Sequence, residues 1–204
     1  MNDESLKDPI KAFLIMFLVG ALLSGVVMVG MDLPLDGTMD ASNPKVLVVL
    51  ILSTLVGILM AMAYAVHRVG WTWLRFGALS AKDVAWAIGM VPMVMLVSFS
   101  WAGFLELLDQ PVDPQRFVQG IIETTNTGTL VFGFAYVILL APLLEEALFR
   151  GYMLPVMMRN LGRWQGFTLN ALLFGSVHAS DPWSVLPTAF IGLGACWLWD
   201  RTKS

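Results

Sequence analysis

Hydrophobic residues form six long runs along the chain, and short polar segments separate these runs. The runs cover residues 10–31, 46–66, 84–108, 130–158, 166–177 and 183–199. Most of them approach the roughly 20 residues that an α-helix needs to cross the hydrocarbon of a bilayer, and the fifth run is the weakest. The pattern predicts an all-α fold: a polytopic membrane helix bundle of about six transmembrane helices, built as a single domain over residues 1–204.

Composition supports a membrane protein. Of the 204 residues, 57% are hydrophobic and 13% are charged, whereas a typical soluble domain has roughly 25% charged residues. The net charge of -3 is small, and no basic cluster indicates nucleic-acid binding. The single cysteine, Cys196, lies within the last apolar run and excludes an intrachain disulfide. We therefore expect contact with the lipid bilayer and none with nucleic acid.

Basic residues are distributed unequally between the two sides that six alternating spans would define. The side that carries both termini has nine Lys and Arg residues, and the other side has Lys45 and Arg116. By the positive-inside rule, the N- and C-termini are predicted to be cytoplasmic. The nine residues are Lys7, Lys11, Arg68, Arg75, Lys82, Arg159, Arg163, Arg201 and Lys203. Tryptophans near the predicted span ends support the same boundaries: Trp71, Trp73, Trp86, Trp164, Trp183, Trp197 and Trp199.

Three charged residues interrupt the fourth apolar run: Glu145, Glu146 and Arg150. A charged residue at mid-span costs about 2.5–3.5 kcal/mol to insert, so the three together could cost on the order of 8 kcal/mol before pairing. Glu146 and Arg150 are four residues apart on one helix face, and we expect them to form an ion pair. Two adjacent carboxylates in a low dielectric disfavour each other's ionised form, which makes one of them a candidate proton acceptor.

A further ionisable residue, His178, lies near the end of the fifth run. If the fourth and fifth runs form antiparallel helices joined near 161–162, Glu145 and His178 each lie 16.5 positions from the turn. At a rise of ~1.5 Å per residue, both would lie ~25 Å along their helices. We therefore expect the two residues to share one depth in the membrane, with Pro142 and Pro155 able to bend the first helix.

Glu145-Glu146-x-x-x-Arg150, followed by Phe174-x-x-x-His178, resembles the first two motifs of the CAAX-protease and bacteriocin-processing (CPBP/Abi) family of glutamate-type intramembrane proteases. The resemblance runs from residue 141 to the end of the chain, and the motifs lie in 141–178. The ordered pair of motifs on adjacent hydrophobic runs is more specific than either motif alone. Members of the family usually have eight spans, so this chain is short relative to them.

The resemblance implies an intramembrane endopeptidase that cleaves a membrane-associated peptide or protein. In this interpretation Glu145 activates a water that attacks the scissile amide, and His178 helps to position it. Glu146 belongs to the same catalytic set, while Arg150 and Phe174 support it. The implied location is the cytoplasmic membrane of a bacterium or archaeon.

No cofactor is expected to be required for this glutamate mechanism. Glu145, Glu146 and His178 supply only part of a zinc coordination shell, and the His-Glu-x-x-His spacing of zinc proteases is absent. A divalent metal such as zinc bound by those three residues stays open as an alternative. Oligomeric state is not predicted.

The family's third motif, a histidine followed four residues later by asparagine, does not follow His178 in this sequence. Either the chain is truncated before that motif, or it is a short variant whose oxyanion donors come from elsewhere. The alternative function is a non-catalytic membrane scaffold, or a bacteriocin-immunity or regulatory protein, on the same fold. A small transporter with an intramembrane acid pair is a third hypothesis.

The same polar residues also have purely structural interpretations. Glu145, Glu146 and Arg150 could form a buried ion-pair network, and His178 could make an interhelical hydrogen bond. Asn170 is predicted to pack between helices. The Asp181-Pro182 pair is predicted to mark a turn rather than to orient the histidine.

Overall fold

The computed structural model of the protein describes residues 5–33, 43–71, 80–110, 116–178 and 184–202. Within these ranges the chain forms seven helices and no strand, so the predicted all-α fold is confirmed. The helices are α1 (Lys7–Gly30), α2 (Pro44–Val69), α3 (Ala81–Leu107), α4 (Arg116–Glu123), α5 (Thr127–Leu161), α6 (Arg163–Ser176) and α7 (Val185–Thr202).

Four of the described helices, α1, α2, α3 and α5, are long and apolar enough to cross a membrane. The fifth and sixth predicted runs also form helices, α6 and α7, but neither meets the same criteria of length and composition. With 14 residues, α6 extends only about 21 Å, which is shorter than the ~30 Å hydrocarbon core. The helices therefore support an integral membrane bundle with four clear spans and two shorter or more polar helices.

Side-chain hydrogen bonds mark where several of these helices begin. Asn43 accepts a hydrogen bond from the backbone N–H of Lys45 at the start of α2. Ser80 and Asp83 form a reciprocal capping box at the start of α3. Such caps satisfy N–H groups that have no partner within the helix.

The described residues fall into two compact units, and the first consists of residues 10–70 and 114–148. Its core joins α2, α4 and the first part of α5 through the buried side chains of Leu47, Ile51, Ile121, Tyr136 and Ala141. In the same unit α1 and α2 approach closely at Gly57, because a Cβ there would meet the backbone carbonyl of Met16. Small residues of this kind let membrane helices pack with their backbones in contact.

The second unit contains α3, the part of α5 from Phe149 onwards, α6 and α7. In this unit α6 packs against both the end of α5 and α7, and α7 also packs against α3. Leu154, Phe167 and Cys196 form a buried cluster that joins α5, α6 and α7. The prediction of a single domain over 1–204 stays a prediction.

The predicted hairpin between the fourth and fifth runs is present. α5 ends at Leu161 and α6 begins at Arg163, with Gly162 between them at φ +85°. A residue with a Cβ is strained in that conformation, so glycine is the residue that the turn requires. Close packing follows at once, because a Cβ on Gly166 would lie 2.9 Å from the backbone of Met158.

Several predictions concern residues outside the described ranges. They include the Asp181 turn, the basic residues Arg75 and Lys203, and the interfacial tryptophans Trp73 and Trp183. The predicted sidedness of the termini likewise stays a prediction.

Candidate active site

Helix α5 departs from regular α-helical geometry in two segments that flank the glutamate pair. Tyr136–Leu140 and Ala147–Met153 form wide turns of the π-helical type. Pro142 and Pro155 each lack the N–H that the carbonyl four residues earlier would accept, and both of those carbonyls lie within the wide segments. Both prolines therefore lie next to a wide segment, and the bend predicted for them stays a prediction. Segments of this type frequently occur at functional sites.

Glu145 and Glu146 close the regular turn between the two wide segments. The side chain of Glu145 is half-buried and that of Glu146 is exposed. Glu145 is near enough to Tyr136 to interact with its hydroxyl electrostatically, and that hydroxyl is hydrogen-bonded to the Thr54 side chain of α2. The Thr54 hydroxyl also donates a hydrogen bond to the backbone carbonyl of Leu50 at 2.9 Å.

The buried guanidinium of Arg150 joins three helices of the second unit. Arg150 is 1% exposed, and its Nη2 donates a hydrogen bond to the carbonyl of Gly192 in α7 at 3.3 Å. Its guanidinium carbon also lies 4.2 Å from the ring centroid of Phe174 in α6. A cation over an aromatic face is worth about 2 kcal/mol when both are desolvated. The supporting role predicted for Arg150 and Phe174 is therefore consistent with direct contact between them.

Phe149 and Phe174 define the register of the α5–α6 hairpin. Their ring centroids are 5.2 Å apart in an edge-to-face arrangement. Each residue lies 12.5 positions from the midpoint between residues 161 and 162. Residues at equal distances from the turn were predicted to lie opposite each other, and Phe149 and Phe174 do so.

His178 is fixed at both its ring and its backbone. Its Nδ1 lies 2.9 Å from the carbonyl oxygen of Phe174, and its ring centroid is 5.0 Å from that of Phe174. A carbonyl only accepts hydrogen bonds, so Nδ1 carries the hydrogen and Nε2 of the neutral ring keeps its lone pair. Ser184, just before α7, donates to the backbone carbonyl of His178 at 2.6 Å. The ring is half-buried.

Asn170 is a buried packing residue, as predicted. Its Nδ2 donates to the carbonyl of Phe149 within the wide turn of α5 at 2.9 Å. Its Oδ1 accepts a hydrogen bond from the Sγ of Cys196 in α7 at 3.3 Å. A buried amide with partners on two neighbouring helices stabilises their arrangement, because leaving it unsatisfied would cost about 1–3 kcal/mol.

The contacts of this region include partners that the sequence analysis did not identify. Gly192 acts through its backbone carbonyl, which has no side-chain signature in the sequence. Ser184 has a weak signal, since a serine just before an apolar run is typical of a helix start. Tyr136 and Thr54 occur at unremarkable positions within apolar runs.

The predicted site residues are distributed over both units: Glu145 and Glu146 in the first, and Arg150, Phe174 and His178 in the second. The second unit brings Arg150, Phe174 and His178 together through the contacts given above. Regular α-helical spacing ends at Glu146, and the Glu146–Arg150 ion pair stays a prediction. Within the described residues, no group of three or more His, Cys, Asp or Glu side chains forms a candidate metal site. The metal alternative that combines residues of both units also stays a prediction.

Comparison with known proteins places the family signal in the same part of the chain. Residues 127–204 match the Rce1-like family, described as type II CAAX prenyl endopeptidase Rce1-like. No curated protein and no solved structure matches the chain. The matched segment contains both motifs, together with α5, α6 and α7. Over residues 127–204 the chain is thus similar to the Rce1-like CAAX endopeptidases, and the predicted relationship to the CAAX-protease family is confirmed for this segment.

Proposed function

We propose that this protein is an intramembrane endopeptidase that cleaves a membrane-associated peptide or protein through a glutamate-activated water. The observation that carries the proposal is the family match over 127–204, because it includes Glu145, Glu146, Arg150 and His178 in one segment. The long apolar helices support an activity at the membrane. The surplus of basic residues on the predicted side that carries both termini supports a cytoplasmic location for the termini. The proposed location is the cytoplasmic membrane of a bacterium or archaeon.

Glu145 is the proposed general base. A carboxylate in a membrane helix can take a proton from water, and general-base catalysis typically contributes 10²- to 10⁴-fold. The resulting hydroxide attacks the carbonyl carbon of the scissile amide, and the proton then passes to the leaving nitrogen. Glu146, the second carboxylate of the pair, assists Glu145 in this step.

His178 is the proposed partner of Glu145. Because its Nδ1–H is committed to the carbonyl of Phe174, its Nε2 is the nitrogen that can face a water or the substrate. A neutral imidazole accepts a hydrogen bond from water there, and a protonated one donates to the oxyanion that develops on the amide. Arg150 of α5 supports this arrangement, because its guanidinium contacts the ring of Phe174 in α6 and donates a hydrogen bond to Gly192 in α7.

A cleavage assay with a prenylated C-terminal Cys-a-a-X peptide tests the proposal, since the matched family is described by that activity. Release of the tripeptide by the purified protein in lipid is measured for the wild type and for Glu145→Gln. We expect the variant to lose at least about 10²-fold in kcat/KM, because amide replaces the base. Glu123→Gln is the matched control, since Glu123 is an exposed acid of α4 that bonds Gln119.

Two results would contradict the proposal. Cleavage that persists in an inserted Glu145→Gln protein would exclude Glu145 as the base. A folded, inserted wild type that cleaves neither this peptide nor membrane-anchored protein substrates would favour the non-catalytic scaffold or immunity function. Retention of activity after exhaustive treatment with a metal chelator is expected, and a loss that zinc restores would instead favour the metal alternative.

A further inference from the structure

A groove of about 480 Å³ lies between α3 and α7 in the second unit. Its walls are almost wholly apolar, with Trp86, Met90 and Met93 on α3 facing Phe190, Gly194 and Trp197 on α7. The volume falls within the range of about 300–1,000 Å³ that is typical of ligand sites. The groove shares no residue with the proposed active site.

The shape of the groove follows from antiparallel packing. Trp86 near the start of α3 meets Trp197 near the end of α7, with ring centroids 5.3 Å apart. From these indoles the groove runs about two helical turns, or ~10 Å, towards Met93 and Phe190. Gly89 widens it on the α3 side, because a Cβ there would meet no atom within 4 Å. The space is an apolar channel with the two indoles at one end, called the aromatic end below, and Met93 and Phe190 at the other.

The aromatic end carries positive charge. The guanidinium carbon of Arg201 lies 4.4 Å from the ring centroid of Trp86 and 5.5 Å from that of Trp197. Lys82 is exposed one turn before Trp86. Tryptophan and basic side chains together are typical of the boundary between hydrocarbon and headgroups. This end of the groove therefore fits the interfacial level of a bilayer.

Two acidic residues are sequence neighbours of these cations, Asp200 beside Arg201 and Asp83 beside Lys82, and both have polar partners. The carboxylate of Asp200 is paired with Arg163 at 2.7 Å. The carboxylate of Asp83 accepts hydrogen bonds from the backbone N–H and the hydroxyl of Ser80 at 2.9 and 2.7 Å. Lys82 also interacts electrostatically with the Asp83 carboxylate, so Arg201, which lies over both indoles, is the main cation at this end of the groove.

From these features we infer that the α3–α7 groove binds one anionic glycerophospholipid, with an acyl chain in the channel and its phosphate at Arg201 and Lys82. A segment of an acyl chain fits an apolar channel that is about two helical turns long, whereas a partner helix needs a broad apolar face. Charge complementarity favours an anionic headgroup over a zwitterionic one, since each Lys or Arg near the surface contributes about 1 kcal/mol to binding anionic lipid. The inference is independent of the proposed peptidase activity.

Lipid retention by the purified full-length protein tests this inference without any substrate. The protein is equilibrated with an equimolar mixture of dioleoyl phosphatidylglycerol and dioleoyl phosphatidylcholine, and the bound lipids are counted by native mass spectrometry. We expect the wild type to retain one phosphatidylglycerol in preference to phosphatidylcholine. Arg201→Gln should lower that preference by about fivefold, as loss of one interfacial charge predicts.

Two glycine variants on α3 test whether lipid retention depends on the groove or on α3 in general. Gly89→Leu fills the channel and should abolish retention of the phosphatidylglycerol. Gly103→Leu on the same helix is the matched control, because a Cβ at Gly103 also meets no atom within 4 Å and Gly103 does not line the groove. The control should retain lipid as the wild type does.

Three outcomes would overturn the inference. One is equal retention of the two lipids by the wild type, and another is retention in Gly89→Leu equal to that in Gly103→Leu. The third is a dimer that dissociates in Gly89→Leu, which would assign the groove to a second copy of the chain. Because no cleavage is measured, failure here leaves the peptidase proposal unaffected, and a peptidase failure leaves this inference standing.

Discussion

Two helix associations within this protein are held together by different means. In the first unit α1 and α2, both long apolar helices, approach through small residues at Gly57 and Gly20. In the second unit the end of α5 packs with α6 and α7 around the buried polar side chains of Arg150 and Asn170. The first association uses backbone proximity, and the second uses hydrogen bonds and a cation on an aromatic ring.

The difference reflects the two means by which helices can associate in lipid. In lipid there is little hydrophobic driving force between helices, so association depends on close packing or on polar contacts. Polar contacts require polar residues, and these lower the apolar character of the helices that carry them. Arg150 lies on the clear span α5, and it contacts α6 and α7, which are not clear spans, through the ring of Phe174 and the carbonyl of Gly192.

The largest effect on stability is expected from Arg150→Met, which tests the polar association. The variant loses the hydrogen bond to Gly192 and the cation–π contact with Phe174, and we expect the free energy of unfolding to fall by about 3 kcal/mol. Unfolding by denaturing detergent in mixed micelles measures it. Arg159→Met is the control, because Arg159 is exposed on the same helix. Equal losses in both variants would show that the buried contacts of Arg150 contribute nothing.

A smaller effect is expected from Gly57→Ala, which tests the glycine association. The added Cβ would meet the backbone carbonyl of Met16, so α1 and α2 must separate, at a cost of about 1–3 kcal/mol. Gly25→Ala on α1 is the matched control, since its Cβ meets no atom within 4 Å. The same unfolding assay compares the two. A Gly57→Ala protein as stable as the control would mean that close approach at this point is dispensable.

The smallest effect is expected at the edge of the polar association, where Arg163 pairs with Asp200 at 2.7 Å. Arg163 is 50% exposed, so water and salt screen the pair. We expect Arg163→Gln to lower the free energy of unfolding by no more than ~0.5 kcal/mol, and less at high salt. A loss approaching that of Arg150→Met would place this pair within the stabilising core, contrary to its exposure.

Much of the fold could be predicted because it depends on local properties of the chain. Apolar runs of sufficient length indicated the helices, and Gly162 at the end of one run indicated the hairpin turn that the structure contains. Equal counting from that turn predicted a register that the contact of Phe149 with Phe174 supports. The weak fifth run was a sign that α6 is too short to be a clear span.

Other features could not be read from single positions. The wide turns of α5 depend on prolines, yet Pro92 lies within α3, which is assigned as one α-helix from Ala81 to Leu107. A proline therefore does not by itself predict a wide turn. Asn170, whose amide reaches the carbonyl of Phe149 in such a turn, is one stabilising partner.

The sequence by itself determined the helical class, the membrane environment and the residue types available for catalysis, since hydropathy, length and charge act locally. Only the tertiary structure decided which groups meet: Arg150 with the carbonyl of Gly192, His178 with Ser184, and Arg201 with two tryptophans. Backbone carbonyls and ring faces are present at many positions, so their selection depends on how the helices pack in three dimensions.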